Sequence, residues 1–321
     1  MIKTDVLIIG GGASGLSSAF VASNNGASVI IIESDSLGGV LNQCIHNGFE
    51  YGDATMTGTE LACKLAQKLP KNVEVIKGTA VSVSSDRIVE VVTTSGVKEI
   101  KAHSVVLSSG ATDVSVEMLQ INGNPLGVYT AGEAQRLINR EGISIGKKAV
   151  VLGSGDVGMI LARRLTLEGV KVEAIIERKQ QPSANAENVA RCTEDFNIPL
   201  ITSSTVTQAK GAPRLNEITV VSVDEFYQPV PNTDKIIRCD TLIIACGRRP
   251  YVVFPNAKLD HITGGCLVND RQETSQRGVF ACGDAVKIGR GVKEVIKEGE
   301  VAGKYASMRA LTLKLADREA K

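Results

Sequence analysis

The hydrophobic pattern of this chain consists of short, continuous apolar runs separated by glycine turns and helix-length segments, and one arrangement of them occurs twice. Residues 5–34 read DVLIIGGGASGLSSAFVASNNGASVIIIES, and residues 148–178 read KAVVLGSGDVGMILARRLTLEGVKVEAIIER. In each copy an apolar run leads into G-x-G-x-x-G, a helix-length segment, a glycine, a second apolar run and a glutamate. The runs from Val6 to Ile9 and from Ala149 to Leu152 are continuous rather than alternating, as in strands buried on both faces of a parallel sheet. Val157, Leu161 and Leu165 recur at i, i+4, i+8 and predict the buried stripe of the helix in the second copy. The chain therefore contains two βαβ units.

Residues 59–69 and 186–196 have helical spacing, while 73–76, 79–84, 88–93, 215–223 and 236–245 read as strands. Val105 to Leu107 lead to Ser109-Gly110, and a final strand from Val279 to Cys282 leads to Gly283-Asp284, with a C-terminal helix predicted over 290–312. Glycines and prolines near 123–127 and 250–255 are the candidate hinges, so the second unit is read as inserted within the first. The expected domains are 1–122 with 253–321, and 123–252. The fold class is α/β, with two Rossmann-like dinucleotide-binding domains, each a three-layer arrangement around a parallel sheet.

The glycines carry the first candidate chemistry. Gly10 allows a tight bend, Gly12 lets backbone approach a pyrophosphate, and Gly15 lets helix and strand pack closely. A pyrophosphate would sit against the free N–H groups of the following helix, around Ala13 and Ser14. Glu33, eighteen residues after Gly15 and followed by Ser34, is placed to accept from ribose hydroxyls. The second copy repeats this with Gly153, Gly155, Asp156, Val157 and Gly158, and with Glu177 nineteen residues on. Two such units imply two bound dinucleotides.

Composition narrows the class. Of 321 residues 43% are hydrophobic and 22% charged, which excludes a fibrous or unfolded chain. Lys and Arg total 36 against 35 Asp and Glu, and a net charge of +1 is no electrostatic footprint for nucleic acid or an anionic membrane. The chain has no Trp and seven Cys, no two of them spaced C-x-x-C, so neither a disulfide framework nor a metal site is indicated. Lys3 and Asp5 precede the glycine turn without a signal-peptide pattern, and no stretch approaches the ~18 apolar residues of a membrane span. The expectation is a cytoplasmic, reduced protein.

The ordered set DVLIIGGGASGL with Glu33, VVLSSGA, GSGDVG, LIIACGRRP and GVFACGD resembles the flavin- and pyridine-nucleotide-dependent disulfide oxidoreductase superfamily over nearly the whole chain. The resemblance implies FAD in the discontinuous first and last segments, NAD(P)H in the inserted domain, and an NAD(P)H-dependent flavoprotein oxidoreductase. It implies that Asp284 binds the flavin ribitol chain, that Gly283 lies by the phosphates, and that Val81 offers backbone to adenine. Ser109-Gly110 and Gly247 would mark the crossovers. The layout is similar to thioredoxin reductase, whose redox C-x-x-C would fall where this chain reads VYTAGEAQRLIN, residues 128–139, without cysteine. The segments GGVLNQCIHNGF (38–49), YTAGEAQRLIN, LGSGDVGMILARRLTLEG and CTEDFNIPL (192–200) resemble a subgroup found beside glycerol-3-phosphate dehydrogenase-like flavoproteins. That implies an electron-transfer partner of a substrate dehydrogenase, and layouts of this kind commonly dimerise.

Cys44 and His46 are the candidate reactive pair. They follow the Gly38-Gly39 turn, in the region where the superfamily brings a cysteine near the flavin, and an imidazolium or a helix N-terminus there would favour the thiolate. Redox chemistry, flavin packing and ordinary burial remain open for Cys44, and a structural role is the plainer reading of His46. Cys246 and Cys282, each before a glycine at a strand end, are read as core. Glu177 favours NADH by accepting from a 2′-hydroxyl and repelling a 2′-phosphate, although Arg178 and Lys179 follow it. The cluster Lys287, Arg290, Lys293 and Lys297 is read as a solvated helix face, with partner docking as the alternative. The leading function is NADH reduction of FAD with electrons passing, in one direction or the other, between the flavin and a partner protein. The alternatives are a self-contained NADH oxidase or small-disulfide reductase working through Cys44, and a nucleotide-binding subunit without turnover.

Overall fold

The computed structural model describes residues 1–252 and 256–319, with side chains through 316. The chain forms two compact units, Met1–Thr112 with Arg249–Lys321, and Asp113–Arg248. The first part of the outer unit runs β1 (Ile2–Ile9), α1 (Ala13–Asn24), β2 (Val29–Glu33), a hairpin of β3 (Asn47–Tyr51) and β4 (Ala54–Thr57), and α2 (Gly58–Gln67). It continues with β5 (Glu74–Lys77), β6 (Thr79–Val83), β7 (Ile88–Thr93) and β8 (Gly96–Leu107), and β9 (Ala111–Asp113) lies at the first crossing. The inserted unit contains β10 (Val128–Thr130), α3 (Ala131–Asn139), β11 (Lys148–Leu152), α4 (Asp156–Leu167), β12 (Lys171–Ile176), α5 (Ala186–Thr193) and β13 (Leu200–Ile201). It ends with β14 (Ser204–Gly211), β15 (Leu215–Ser222), β16 (Lys235–Ile237) and β17 (Thr241–Ile244). After β18 (Arg248–Pro250) at the second crossing, β19 (Val279–Ala281) and α6 (Val292–Glu319) complete the outer unit.

The outer sheet has the order β5-β2-β1-β8-β7-β6, with β19 also paired to β8. β1, β2, β5, β8 and β19 pair in parallel, and β6-β7-β8 is an antiparallel extension. Val6, Ile8, Ile31 and Val106 pack one face against Leu16 and Ala19 of α1 and Ala302 and Ala306 of α6. Leu7, Ile9, Ile30 and Ile32 share the other with Val89, Val91 and Ile100. The continuous apolar runs are continuous because both faces of the sheet are covered. In the inserted unit a five-stranded parallel sheet, β10-β17-β11-β12-β13, is accompanied by an antiparallel sheet, β14-β15-β16. Met159, Leu161 and Leu165 cover one face of the parallel sheet, and Val206, Leu215, Ile218 and Val220 pack on the other.

Several expectations change in detail. Residues 236–245 are two strands, because Arg238–Asp240 turn the chain between β16 and β17. The β3-β4 hairpin and β14 carry only weak alternation and are additions. Val157 is exposed, so the buried stripe of α4 runs through Gly158, Met159, Leu161, Ala162 and Leu165 instead. The stretch at 123–127 is packed rather than hinged: a Cβ on Gly123 would lie 2.3 Å from the Ala209 carbonyl oxygen, and Leu126 N–H donates to Pro213 O. The crossings accordingly fall at 112/113 and 248/249, beside Gly110 and Gly247, which both have positive φ. Residues 253–255 of the second hinge lie outside the described residues. No helix among the described residues is long and apolar enough to cross a membrane.

Asp5 ties the C-terminal helix to the base of the outer sheet. Its buried carboxylate accepts from Ser28 N–H at 2.8 Å and Lys314 Nζ at 2.7 Å, and His103 Nδ1 lies 3.4 Å away. Burial alone would raise its pKa, but the Lys314 and Ser28 hydrogen bonds outweigh it and hold the group below its ordinary value. A depressed carboxylate adds stability that is complete above the unfolded value, about 3.9, and is lost as pH falls through the lower folded value. Lys314→Met is expected to cost about 1–2 kcal/mol at neutral pH, measured by urea unfolding, and to shrink the loss of stability below roughly pH 4. An acid profile unchanged by the substitution would refute this account.

Candidate functional site

Helix caps single out two places. α2, α3 and α5 begin at Thr57, Thr130 and Asn185, whose side chains accept a first-turn N–H. α1 and α4 begin at Gly12 and Gly155, with no side-chain cap. Nothing lies within 4 Å of a Cβ built on either glycine, so the uncapped N–H groups face open space. The flanking glycines, in contrast, are crowded. A Cβ on Gly10 would lie 2.3 Å from Ser108 O, one on Gly15 1.9 Å from Gly10 O, one on Gly153 2.4 Å from Ala245 O and one on Gly158 2.3 Å from Gly153 O. Backbone held tight on both sides of an open, uncapped helix start is a cradle for a phosphate.

In the outer unit Ala13 and Ser14 open α1, and Gly38, at φ +107°, bonds through its N–H to Gly11 O at 2.7 Å and brings Gly39 against Gly12. Glu33 accepts from Gly11 N–H at 2.7 Å and Asp35 N–H at 2.8 Å, which leaves about two of its acceptor positions for a ribose. Ser34 beside it is exposed, and Val81 on β6 is half exposed. Ser108 Oγ donates to Ile9 O and Gly10 O, and Ser109 Oγ donates to Tyr251 O, ahead of Gly110 at φ +73°. Gly283, at φ +67°, packs on Ser14 and carries Asp284 next to it.

One carboxylate at this site was not anticipated. Glu298 of α6 accepts from Gly283 N–H at 3.0 Å and pairs with Arg290, both side chains being under one-fifth exposed. Arg290 also donates to Gly283 O at 2.9 Å and Lys287 O at 3.0 Å. Burial pulls the Arg290 pKa down, against the charge of Asp284. The solvated-face reading of the basic cluster thus fails for Arg290, whose planar fork is used inside the fold, and Lys293 pairs with Glu50 at 2.5 Å.

In the inserted unit the Glu177 carboxylate is turned inward. Its residue is 5% exposed, and it accepts from Ser154 N–H at 3.1 Å, from Ser154 Oγ and from Lys179 N–H at 2.9 Å. It therefore braces the glycine turn, with about one acceptor position left over. Arg178 and Lys179 point instead into an open pocket of about 550 Å³ shared with Ser203, Asp224 and Tyr227, where Arg178 lies 5.0 Å from the Tyr227 ring. Asp156 Oδ1 accepts from Asn185 N–H, Asn185 Nδ2 and Asn188 Nδ2 and so anchors α5.

Cys44 closes a five-residue 3₁₀ turn, Gly39–Gln43, on its carboxyl side, and its thiol lies 3.5 Å from Val40 O. Its carbonyl accepts from Gly58 N–H at 2.8 Å, so Cys44 also lies against the first residue of α2, the kind of helix start expected beside it. His46 stacks on Phe49 with ring centroids 5.2 Å apart. Cys282 is fully buried, its thiol pushed up to about 12 by burial. Cys246 is not core: the residue is exposed beyond the end of β17, though its sulfur is tucked 3.5 Å from Leu152 O and burial pushes the thiol up to about 11. None of the seven cysteines is in a disulfide, and no cluster among the described residues has the make-up of a metal site.

Residues 4–306 match the pyridine nucleotide-disulphide oxidoreductase family. The chain belongs to that family. It is an oxidoreductase of the NAD(P)H-dependent flavoprotein class. Thioredoxin reductase of Bacillus subtilis is 27% identical over 297 residues, covering 87% of this chain and 86% of that one. Sarcosine oxidase subunit alpha of Corynebacterium sp. is 28% identical over 270 residues, covering 78% of this chain but 27% of that protein. Among solved structures, T. acidophilum thioredoxin reductase superposes with a TM-score of 0.80 at 23% identity, over 97% of this chain and 100% of that one. L-proline dehydrogenase from P. horikoshii gives 0.68 at 23% identity, over 95% and 55%. These likenesses establish the fold, two Rossmann-like domains. Pyridine nucleotide-disulphide oxidoreductases use FAD and NAD(P)H, and the two open, uncapped glycine turns, one in each unit, fit two such dinucleotides.

Proposed function

We propose that the inserted unit binds NAD(P)H, that the outer unit binds FAD, and that reducing equivalents pass through the flavin to an acceptor held by a partner protein. The observation that carries this reading is the pair of uncapped glycine turns in a chain that has no C-x-x-C to receive electrons. When bound, the isoalloxazine ring supplies hydride acceptance and electron release. The chain's own residues bind and orient: the first turns of α1 and α4 hold pyrophosphates, Glu33 reads a ribose, and Gly283 and Asp284 receive the ribitol side. The similarity to one subunit of a sarcosine oxidase, spanning about a quarter of that subunit, supports a chain of this kind serving a substrate dehydrogenase. A glycerol-3-phosphate dehydrogenase-like flavoprotein is the partner proposed from the resemblance of residues 38–49 and 192–200.

NADH is the proposed donor, because Glu177 keeps a carboxylate behind the strand end where a 2′-phosphate would lie. A second reading, NADPH, is favoured by the inward turn of that carboxylate and the open pocket beside Arg178 and Lys179. Anaerobic titration of the FAD-loaded protein with each nucleotide, followed by flavin absorbance, separates them. Stoichiometric bleaching by NADH at lower concentration than NADPH is expected; the reverse order establishes the second reading, and bleaching by neither overturns the electron-transfer function.

Cys44→Ser tests the thiol route. With no second cysteine at C-x-x-C spacing to complete a dithiol, Cys44 is expected to be dispensable. The variant should keep flavin reduction and turnover with a partner acceptor within about twofold of wild type, a span of roughly 0.4 kcal/mol. Reduction of the flavin without any turnover would instead assign a single-cysteine cycle.

A further inference from the structure

Two arginines cross over one glycine of the outer unit and a third precedes it in the chain, at the opposite end of β19 from Gly283 and Asp284. Gly278, at φ +82°, immediately precedes β19, and a Cβ built on it would lie 2.7 Å from Arg309 Nε, 3.4 Å from Arg309 Cζ and 3.2 Å from Arg87 Cδ. Arg87 comes from the turn between β6 and β7 and Arg309 from α6, so the two side chains cross the same backbone atom. Arg277 is the neighbour of that glycine, and its carbonyl oxygen is 3.4 Å from Arg87 Nη1, a long contact.

The cluster is short of acceptors. Arg87 Nε and Arg309 Nε are both buried without a hydrogen-bond partner. Burial and the charges of Arg277 and Arg87 all act against protonated Arg309. Glu273 acts in its favour, but Glu273 Oε1 already accepts Gly278 N–H at 2.8 Å. Two further cations border the place, Arg271 and Lys304 lying 5.3 Å and 5.6 Å from the ring of Tyr305, one helical turn before Arg309. In a chain of net charge +1 this is a local concentration of charge rather than a general excess.

Like charges brought together and partly desolvated repel, and orphaned buried donors add to the cost. Both are relieved by one dianion that offers several oxygens. Guanidinium forks match phosphate oxygens bidentately and carry the charge to hold them. We propose that Arg87, Arg277 and Arg309 form a binding site for a phosphate group, separate from both glycine turns and carried either by inorganic phosphate or by a phosphomonoester.

Calorimetric titration of the protein saturated with FAD and NAD⁺, so that both glycine turns are filled, tests this with inorganic phosphate and with phenyl phosphate, sodium chloride serving as the ionic-strength control. A saturable isotherm of one site per chain is expected, weakened at least tenfold in Arg309→Met and in Arg277→Met. Arg277 is exposed, so its variant keeps the test open if removing Arg309 impairs folding. Tighter binding of inorganic phosphate assigns the site to the free ion, and tighter binding of phenyl phosphate assigns it to an ester. Absence of saturable heat with both ligands, or binding that survives equally in both variants, overturns the proposal.

Discussion

Gly15→Ala is expected to leave a protein that purifies without flavin and unfolds at markedly lower denaturant concentration, a loss of about 3 kcal/mol. The added Cβ would stand 1.9 Å from Gly10 O, a backbone atom that cannot move aside, because Ser108 Oγ donates to that same carbonyl at 2.8 Å. Relief requires α1 to lift from β1, and with it Gly12 and the uncapped first turn. Gly12→Ala is the matched control. Its Cβ meets nothing within 4 Å, so the fold is expected to keep its stability while flavin affinity falls, the space being needed by the ligand. The FAD-to-protein absorbance ratio and a denaturation midpoint for each variant decide the matter. Native stability in Gly15→Ala would defeat the packing argument, and full flavin content in Gly12→Ala would remove the phosphate from this turn.

The same contrast explains what the amino-acid pattern could and could not reveal. The βαβ units were legible because a parallel strand covered on both faces must be apolar throughout, and because the helix after each such strand starts at a glycine without a side-chain cap. Val6–Ile9 and Ala149–Leu152 satisfy the first condition, and Gly12 and Gly155 the second. α3 was legible in principle through Thr130 and Glu133, which form a capping box. The β3-β4 hairpin was not, since its residues are mostly exposed and alternate weakly.

Side-chain direction was the harder problem. A glutamate at the end of the second strand can face a ribose or turn back onto the glycine loop, and the spacing is identical in the two cases. Glu33 keeps about half of its acceptor positions open, whereas Glu177 gives three contacts to Ser154 and Lys179. Burial of Cys246 failed for a related reason. Its apolar strand ends at Ile244, two residues earlier, and the chain leaves the sheet before the cysteine is reached.

Glu298 was missed because its partners are distant in sequence and its own surroundings, KEGE, read as a solvated helix. The glycines beside it are the signal that was available. Cβ atoms on Gly299 and Gly303 would lie 2.1 Å from Ser14 O and 2.3 Å from Ser18 O, so α6 presses backbone to backbone against the helix that follows the first glycine turn. That contact leaves Glu298 at the seam, joined to Gly283 N–H and Arg290. Glu298→Leu removes the carboxylate and leaves a half-buried guanidinium without it. The expected cost is about 3 kcal/mol, together with loss of bound FAD, since Gly283 and Asp284 lose their anchor. Glu298→Gln keeps an oxygen for Gly283 N–H but gives up the charge, and should retain more flavin than the leucine variant while still unfolding earlier than wild type. If both variants keep full flavin content and unfold with wild type, Glu298 contributes nothing to the site, and Gly283 is held by its packing on Ser14 alone.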